Sequence, residues 1–168
     1  MASTMTQISE LYVAIFNRAS ESSGNSYWAG LDLSTAEIAQ TMLGSTAAED
    51  YFGVNPLDPE VLSNQDFVEY IYLNTLNKTA EDDPDGIAFW VGRLDDGQSR
   101  GQVVADLVVA ANDPANAGDA QDQFQNRVAV SDYTAEVLEE APDDFATSLA
   151  FNSANGPDGA LIITSDPD

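Results

Sequence analysis

The chain carries two copies of one pattern, and any fold it takes must accommodate both. The first copy opens Leu11-Tyr-Val-Ala-Ile-Phe-Asn-Arg-Ala-Ser-Glu-Ser-Ser-Gly-Asn-Ser-Tyr-Trp28, and the second opens Ile71-Tyr-Leu-Asn-Thr-Leu-Asn-Lys-Thr-Ala-Glu-Asp-Asp-Pro-Asp-Gly-Ile-Ala-Phe-Trp90. With one two-residue insertion, Tyr12 pairs with Tyr72, Asn17 with Asn77, Arg18 with Lys78 and Glu21 with Glu81. Gly24 then pairs with Gly86, Tyr27 with Phe89 and Trp28 with Trp90. Both copies run on into a capping-box signature, Ser34-Thr-Ala-Glu37 and Ser99-Arg-Gly-Gln102. In such a box the serine oxygen accepts from the N3 amide, and the Glu or Gln reaches back to the N-cap amide.

Each copy reads as helix, turn, short helix, helix. Ile8, Leu11, Tyr12, Ile15 and Phe16 fall at the spacing of one helical face, and Phe67, Tyr70, Ile71 and Leu76 repeat it less cleanly. A loop ending at Gly24 or Gly86 leads to a short helix with Tyr27-Trp28 or Phe89-Trp90. The capped helices are expected over about 35–42 and 100–111. A Pro-punctuated connection over residues 54–60 leads to a helix cap at 64–66, and a second break over 112–118 leads to a helix over roughly 119–140, with one more at 144–152. The expectation is an all-α helical bundle of two tandem repeats with short loops, one domain over residues 1–154. Repeat one covers about 8–53, repeat two about 67–118 and the C-terminal helices about 119–152. Residues 155–168 read as a linker or tail.

Composition removes whole classes of function. Without cysteine or histidine there is no thiol chemistry, zinc–thiolate site or Ser-His-Asp triad. With 29 acidic residues against 5 basic, a formal charge of −24 disfavours nucleic acid and anionic lipid. Hard cations bound by oxygen, calcium above all, remain natural partners. No apolar run approaches a membrane span, so no direct membrane insertion is expected. The N-terminal residues lack the basic and apolar regions of a cleavable signal. Adjacent carboxylates such as Asp82/Asp83, Glu139/Glu140 and Asp143/Asp144 do not face each other across a cleft, and no catalytic constellation is evident.

The sequence Leu-Tyr, Asn-Arg/Lys, an acidic turn with Gly, Tyr/Phe-Trp and a capped helix resembles the helical repeat of unknown function found in bacterial type I-secreted, calcium-rich repeat proteins. Within that group it is most similar to the N-terminal region of Gram-negative surface-layer proteins. Ile8-Ser-Glu-Leu-Tyr12, Gly24-Asn25-x-Tyr27-Trp28 and Ala48-Glu-Asp-Tyr-Phe-Gly53 carry the likeness. It implies a non-enzymatic, extracellular cell-surface anchor, exported without an N-terminal signal peptide, that binds the O-polysaccharide of lipopolysaccharide with calcium assistance. The alternative is a protein–protein assembly or spacer module, self-associating in a lattice without glycan affinity.

Particular residues admit two readings. Tyr27, Trp28, Phe89 and Trp90 are either sugar-stacking rings or hydrophobic anchors closing each repeat, and the repetition favours anchors. Asn25, with Asn77, Gln40 and Gln123, has amides suited to sugar hydroxyls. In the acidic turn, Glu81, Asp83 and Asp85, with Asp95 nearby, are the candidate calcium ligands, although position twelve counted from Glu81 is Gly92 and the EF-hand pattern fails. The competing reading is a solvated helix cap. Arg18 and Lys78 are expected to brace the acidic turn through Glu21 and Glu81, the alternative being contact with glycolipid phosphate.

Overall fold

Helix starts in this chain follow the hydroxyl and carboxylate side chains able to take up the orphan amides of a first turn. Thr4 caps α1 (Met5–Phe16) in a full box with Gln7, and Ser34 caps α3 (Thr35–Leu43) in a full box with Glu37. Single caps start the other long elements: Ser63 for α5 (Asn64–Leu76), Asp83 for α6 (Pro84–Asp95) and Ser99 for α7 (Arg100–Asn112). The second capping box is therefore only half made. Ser99 accepts from Gln102 N, but Gln102 Nε2 donates to Asp106 Oδ1 at 2.9 Å instead of reaching back. The remaining elements are α2 (Ser22–Ala29), α4 (Thr46–Phe52), a 3-10 turn (Pro114–Asn116) and α8 (Asp119–Val137).

This computed structural model describes residues 2–137. Over that span the expected all-α architecture holds, with eight α-helices and no strand among the described residues. The helix expected at 144–152, the tail at 155–168 and the pairs Glu139/Glu140 and Asp143/Asp144 lie outside the described residues. Among those described, no helix is long and apolar enough to cross a membrane.

The first helix is central, packing against α2, α3, α5, α7 and α8. Its expected face of Ile8, Leu11, Tyr12, Ile15 and Phe16 is buried, and the surrounding helices bury Val13 and Ala14 as well. Both long helices end at an asparagine in the left-handed region, Asn17 (φ 48°) and Asn77 (φ 51°), whose N–H closes back on Val13 O and Leu73 O. The repeated asparagine is a C-cap, since Asn tolerates that conformation better than other side-chain-bearing residues. The segment Ala48–Gly53 supplies α4, ended by Gly53 at φ 73°. Tyr51 and Phe52 pin it in an aromatic cluster with Phe16 and Tyr70.

The two repeats meet through equivalent positions. Asn74 Nδ2 donates to Ala14 O at 2.9 Å, and Asn74 is the counterpart of Ala14 in the repeat alignment. Gly101 lies against Ala36, its own counterpart, so closely that a Cβ would come within 2.5 Å of Ala36 O and Gln40 N. Matched positions of the two repeats thus touch at both the α1/α5 and the α3/α7 crossings.

Among the described elements, α8 lies beyond both repeats. It is joined to the connection between α1 and α2 through hydroxyls: Ser131 Oγ accepts from Ser20 N at 2.8 Å, and Thr134 Oγ1 donates to Ser20 O at 2.8 Å, all three residues fully buried.

Candidate functional site: a paired aromatic surface

The repeat signature first builds a structural latch. In the second copy, Tyr72 Oη donates to Asp83 Oδ2 at 2.6 Å, Asp83 Oδ1 accepts from Gly86 N at 2.9 Å, and Lys78 Nζ stands 3.8 Å from the same carboxylate. In the first copy, Tyr12 Oη faces Glu21 Oε1 at 3.5 Å, and Arg18 Nη1 pairs with Glu21 Oε2 at 3.2 Å. The Arg18 guanidinium also lies 5.2 Å from the Tyr12 ring. Glycine recurs because the latch leaves no room for a side chain. A Cβ at Gly24 would meet the Glu21 carboxylate and lie 2.6 Å from Tyr12 Oη; one at Gly86 would meet Tyr72 Oη and lie 2.6 Å from Asp83 Oδ2.

This geometry corrects two sequence readings. The counterpart of Glu21 is Asp83, three residues before its glycine, and not Glu81; Lys78 braces Asp83. Gly24 and Gly86 do not end loops but sit inside the first turns of α2 and α6. Burial and the neighbouring Glu21 charge push the Tyr12 phenol up to about 12. The Tyr72 hydroxyl and the Gly86 amide hold the Asp83 carboxyl below the usual aspartate range.

The candidate calcium ligands are not brought together. Asp83 turns back into the latch, while Asp95 accepts from Asn64 Nδ2 at 2.9 Å. Asp85 and Asp95 lie at opposite ends of α6, about 15 Å apart along its axis at the helical rise per residue. Glu81 is exposed in the preceding turn. Among the described residues no group of three Asp or Glu side chains could hold a metal ion.

The aromatic pairs divide between the two readings. Trp28 and Trp90 are half-buried and pack against the core, as anchors should. Their neighbours point outward, Tyr27 at 62% exposure and Phe89 at 59%. The geometry repeats: Tyr27 and Trp28 stand edge to face with centroids 5.1 Å apart, and so do Phe89 and Trp90, also at 5.1 Å. Each repeat thus presents one free ring braced by a tryptophan. The two rings exposed in this way stand at matched positions of the two repeats.

Asn25 is not part of that surface. It is fully buried and donates through Nδ2 to Met5 O at 3.1 Å and Ser20 Oγ at 3.0 Å, so a glycan cannot reach it. Gln123 is buried, Gln40 Oε1 accepts from Gly101 N at 2.8 Å, and Asn77 is the α5 cap. A cleft of about 480 Å³ opens where the N-termini of α3 and α7 meet, but its polar lining is already engaged: Ser34 with Glu37, Thr41 with Glu37 O, and Gln102 with Asp106.

Two residues beside the second pair were not singled out from sequence. Arg93 lies over both Phe89 and Trp90, with Cζ 5.9 and 5.2 Å from the ring centroids, and its Nη2 pairs with Asp106 Oδ2 at 2.8 Å. The spacing carried the signal, since Arg93 follows Phe89 by four positions and Trp90 by three, on one helical face.

Residues 39–113 match the family described as Domain of unknown function (DUF4214). The match takes in most of α3, all of α4, the connection and the second repeat through α7, including Tyr72, Asp83, Gly86 and Trp90. No curated protein and no solved structure matches the chain.

Proposed function

We propose that this chain is a non-enzymatic anchoring module of an extracellular, type I-secreted surface-layer or adhesin-type protein, which holds the O-polysaccharide of lipopolysaccharide at the cell surface. The observation that carries the reading is the pair of exposed rings, Tyr27 and Phe89, each braced by a tryptophan at matching places in the two repeats. Sugar rings stack on such faces through their C–H surfaces, and this needs no charge on the protein. That suits a chain of formal charge −24 meeting a glycolipid that is itself anionic. Calcium enters as a bridge between exposed carboxylates and the glycolipid, not as an ion held in a preformed cage.

The test is titration of the protein with smooth and rough lipopolysaccharide, with and without calcium, at fixed ionic strength. Binding to smooth material alone, weakened when Tyr27 and Phe89 are both replaced by Ala, supports the anchor. Equal binding to rough material, or binding indifferent to the double replacement, removes it. The second reading, a lattice or spacer module, is favoured by apolar side chains exposed away from the aromatic pairs: Val109 at 68% and Val61 at 53%. It predicts concentration-dependent association in sedimentation velocity that persists without glycan and falls on Val109→Ser.

A further inference from the structure

The two aromatic pairs are alike in their rings and unlike in their charge. Beside the second pair, the Arg93 guanidinium lies over both rings, one-third exposed, and only Nη2 of its fork is engaged, with Asp106. At the corresponding place in the first repeat, three residues past Trp28, stands Leu31. No other described cation fills that role there. Arg18 pairs with Glu21 and lies over Tyr12 and Phe16, Arg100 is buried against backbone carbonyls, and Arg127 donates to Asn17 Oδ1. Lys78 faces Asp83.

We propose that Arg93 makes the second aromatic pair a subsite for an acidic sugar, one bearing a carboxylate as a uronic acid does, while the first pair takes neutral sugars. A sugar ring would stack on the exposed Phe89 ring beside Trp90, and its carboxylate would meet the free donors of the Arg93 fork, which match a carboxylate in a bidentate way. The exchange is not opposed by stranding Asp106. Its Oδ2 also accepts from Gln98 Nε2 at 3.1 Å and its Oδ1 from Gln102 Nε2 at 2.9 Å, so that carboxylate keeps two donors when Arg93 turns toward a ligand. The protein's net negative charge acts against an acidic ligand at long range. At physiological salt that field decays over about 8 Å, whereas the guanidinium contact is direct.

This inference rests on the glycan reading, and the two can fail separately. The chain has two tryptophans, one in each pair, so their indole N–H signals in a proton–nitrogen correlation spectrum report each subsite separately. The probes are trigalacturonate and its fully methyl-esterified form, in which each ionised carboxylate is replaced by a neutral methyl ester, titrated in calcium-free buffer. Trigalacturonate is expected to shift the Trp90 signal in preference to Trp28, with a dissociation constant about fivefold tighter than the ester, the scale of one exposed charge pair. Arg93→Gln should remove that difference, and Arg93→Lys should restore only part of it. If both probes shift both signals equally, or Arg93→Gln changes nothing, the acidic subsite is wrong while the glycan reading stands. If neither probe nor smooth lipopolysaccharide moves either signal, both fall.

Discussion

Replacing Gly86 by alanine should destabilise the protein, although alanine is the better helix former. Gly86 is the third residue of α6, and a Cβ there would meet Tyr72 Oη and lie 2.6 Å from Asp83 Oδ2 and 2.8 Å from its Cγ. Either the phenol or the carboxylate must give way. Losing a hydrogen bond to a charged group costs about 1.5–3 kcal/mol. The upper part of that range is discounted because the Asp83 side chain is 30% exposed. Disturbing the Asp83 cap adds about 1 kcal/mol, and the helix propensity of alanine returns up to about 1. The balance is a loss of about 1–2 kcal/mol, or about 3–6 °C in Tm for a domain of this size.

Gly92 supplies the control within the same helix. Nothing lies within 4 Å of a Cβ placed there, so Gly92→Ala should raise stability by about 0.5–1 kcal/mol. Urea denaturation of both variants, alone and with Tyr72→Phe, gives the full comparison. With the phenol oxygen gone, the added cost of Gly86→Ala should shrink, because the atom it displaces is absent. The cost should also shrink in acid. The folded state holds the Asp83 carboxyl below its ordinary range, so the stability it lends is present above that range and lost as pH falls through the depressed value. Opposite signs for the two alanines are the required result. A stabilising Gly86→Ala, or a cost indifferent to Tyr72→Phe, would refute the latch as the reason for the glycine.

Three further substitutions test other parts of the fold. Glu10 has a raised pKa, through burial first and the nearby Asp132 charge, set against the hydrogen bond from Asn112. Glu10→Gln should therefore raise the unfolding free energy measured by urea denaturation at neutral pH by about 0.5–1 kcal/mol. That gain should vanish below the ordinary glutamate range, where the wild-type carboxyl is protonated in both states. Arg100 donates to Pro56 O at 2.5 Å, Leu62 O at 2.6 Å and Asn64 Oδ1 at 3.0 Å, holding the connection to the head of α7. Arg100→Lys keeps the charge but loses the fork and should cost about 2 kcal/mol by calorimetry without altering glycan binding. Ser131→Ala leaves the buried Ser20 amide without its acceptor and should cost about 1–3 kcal/mol, with hydrogen exchange rising first along α8.

Much of this fold was legible because helix periodicity and caps are local. The helices over 35–43 and 100–112 begin where their serines place them. Gly24 and Gly86 misled because glycine ordinarily punctuates, whereas here it makes room for a phenol arriving from another helix and for the carboxylate at the N-cap of its own. Only the tertiary contact decides between those uses, and the same contact selects Asp83 over Glu81. The outward turn of Tyr27 and Phe89 was in principle readable. Adjacent residues on a helix point about 100° apart, so an anchoring Trp28 or Trp90 leaves its neighbour off the core. The same geometry puts Asn25 on the Trp28 side, three residues before it, and so inside. The seating of α8 on hydroxyls was not readable, since serine and threonine carry no periodic hydrophobic signal.

Repetition changes what a single lost ring should do. Tyr27 and Phe89 stand at matched positions of two repeats that touch at Ala14 with Asn74 and at Ala36 with Gly101. A polysaccharide long enough to reach both makes its second contact at an effective concentration far above that of free ligand, and avidity exceeds either contact alone by orders of magnitude. Tyr27→Ala should then weaken binding to long O-polysaccharide about tenfold or more, while a trisaccharide held at the Phe89 pair binds as before. Phe89→Ala should do the same with the pairs exchanged. Neither should move stability by more than about 0.5 kcal/mol, because both rings are already largely in water. Surface plasmon resonance on smooth lipopolysaccharide, set beside calorimetric titration with the short sugar, separates the two effects. Equal losses on long and short ligands would mean that the rings act singly, and the second copy of the repeat would then owe its presence to the core and not to binding.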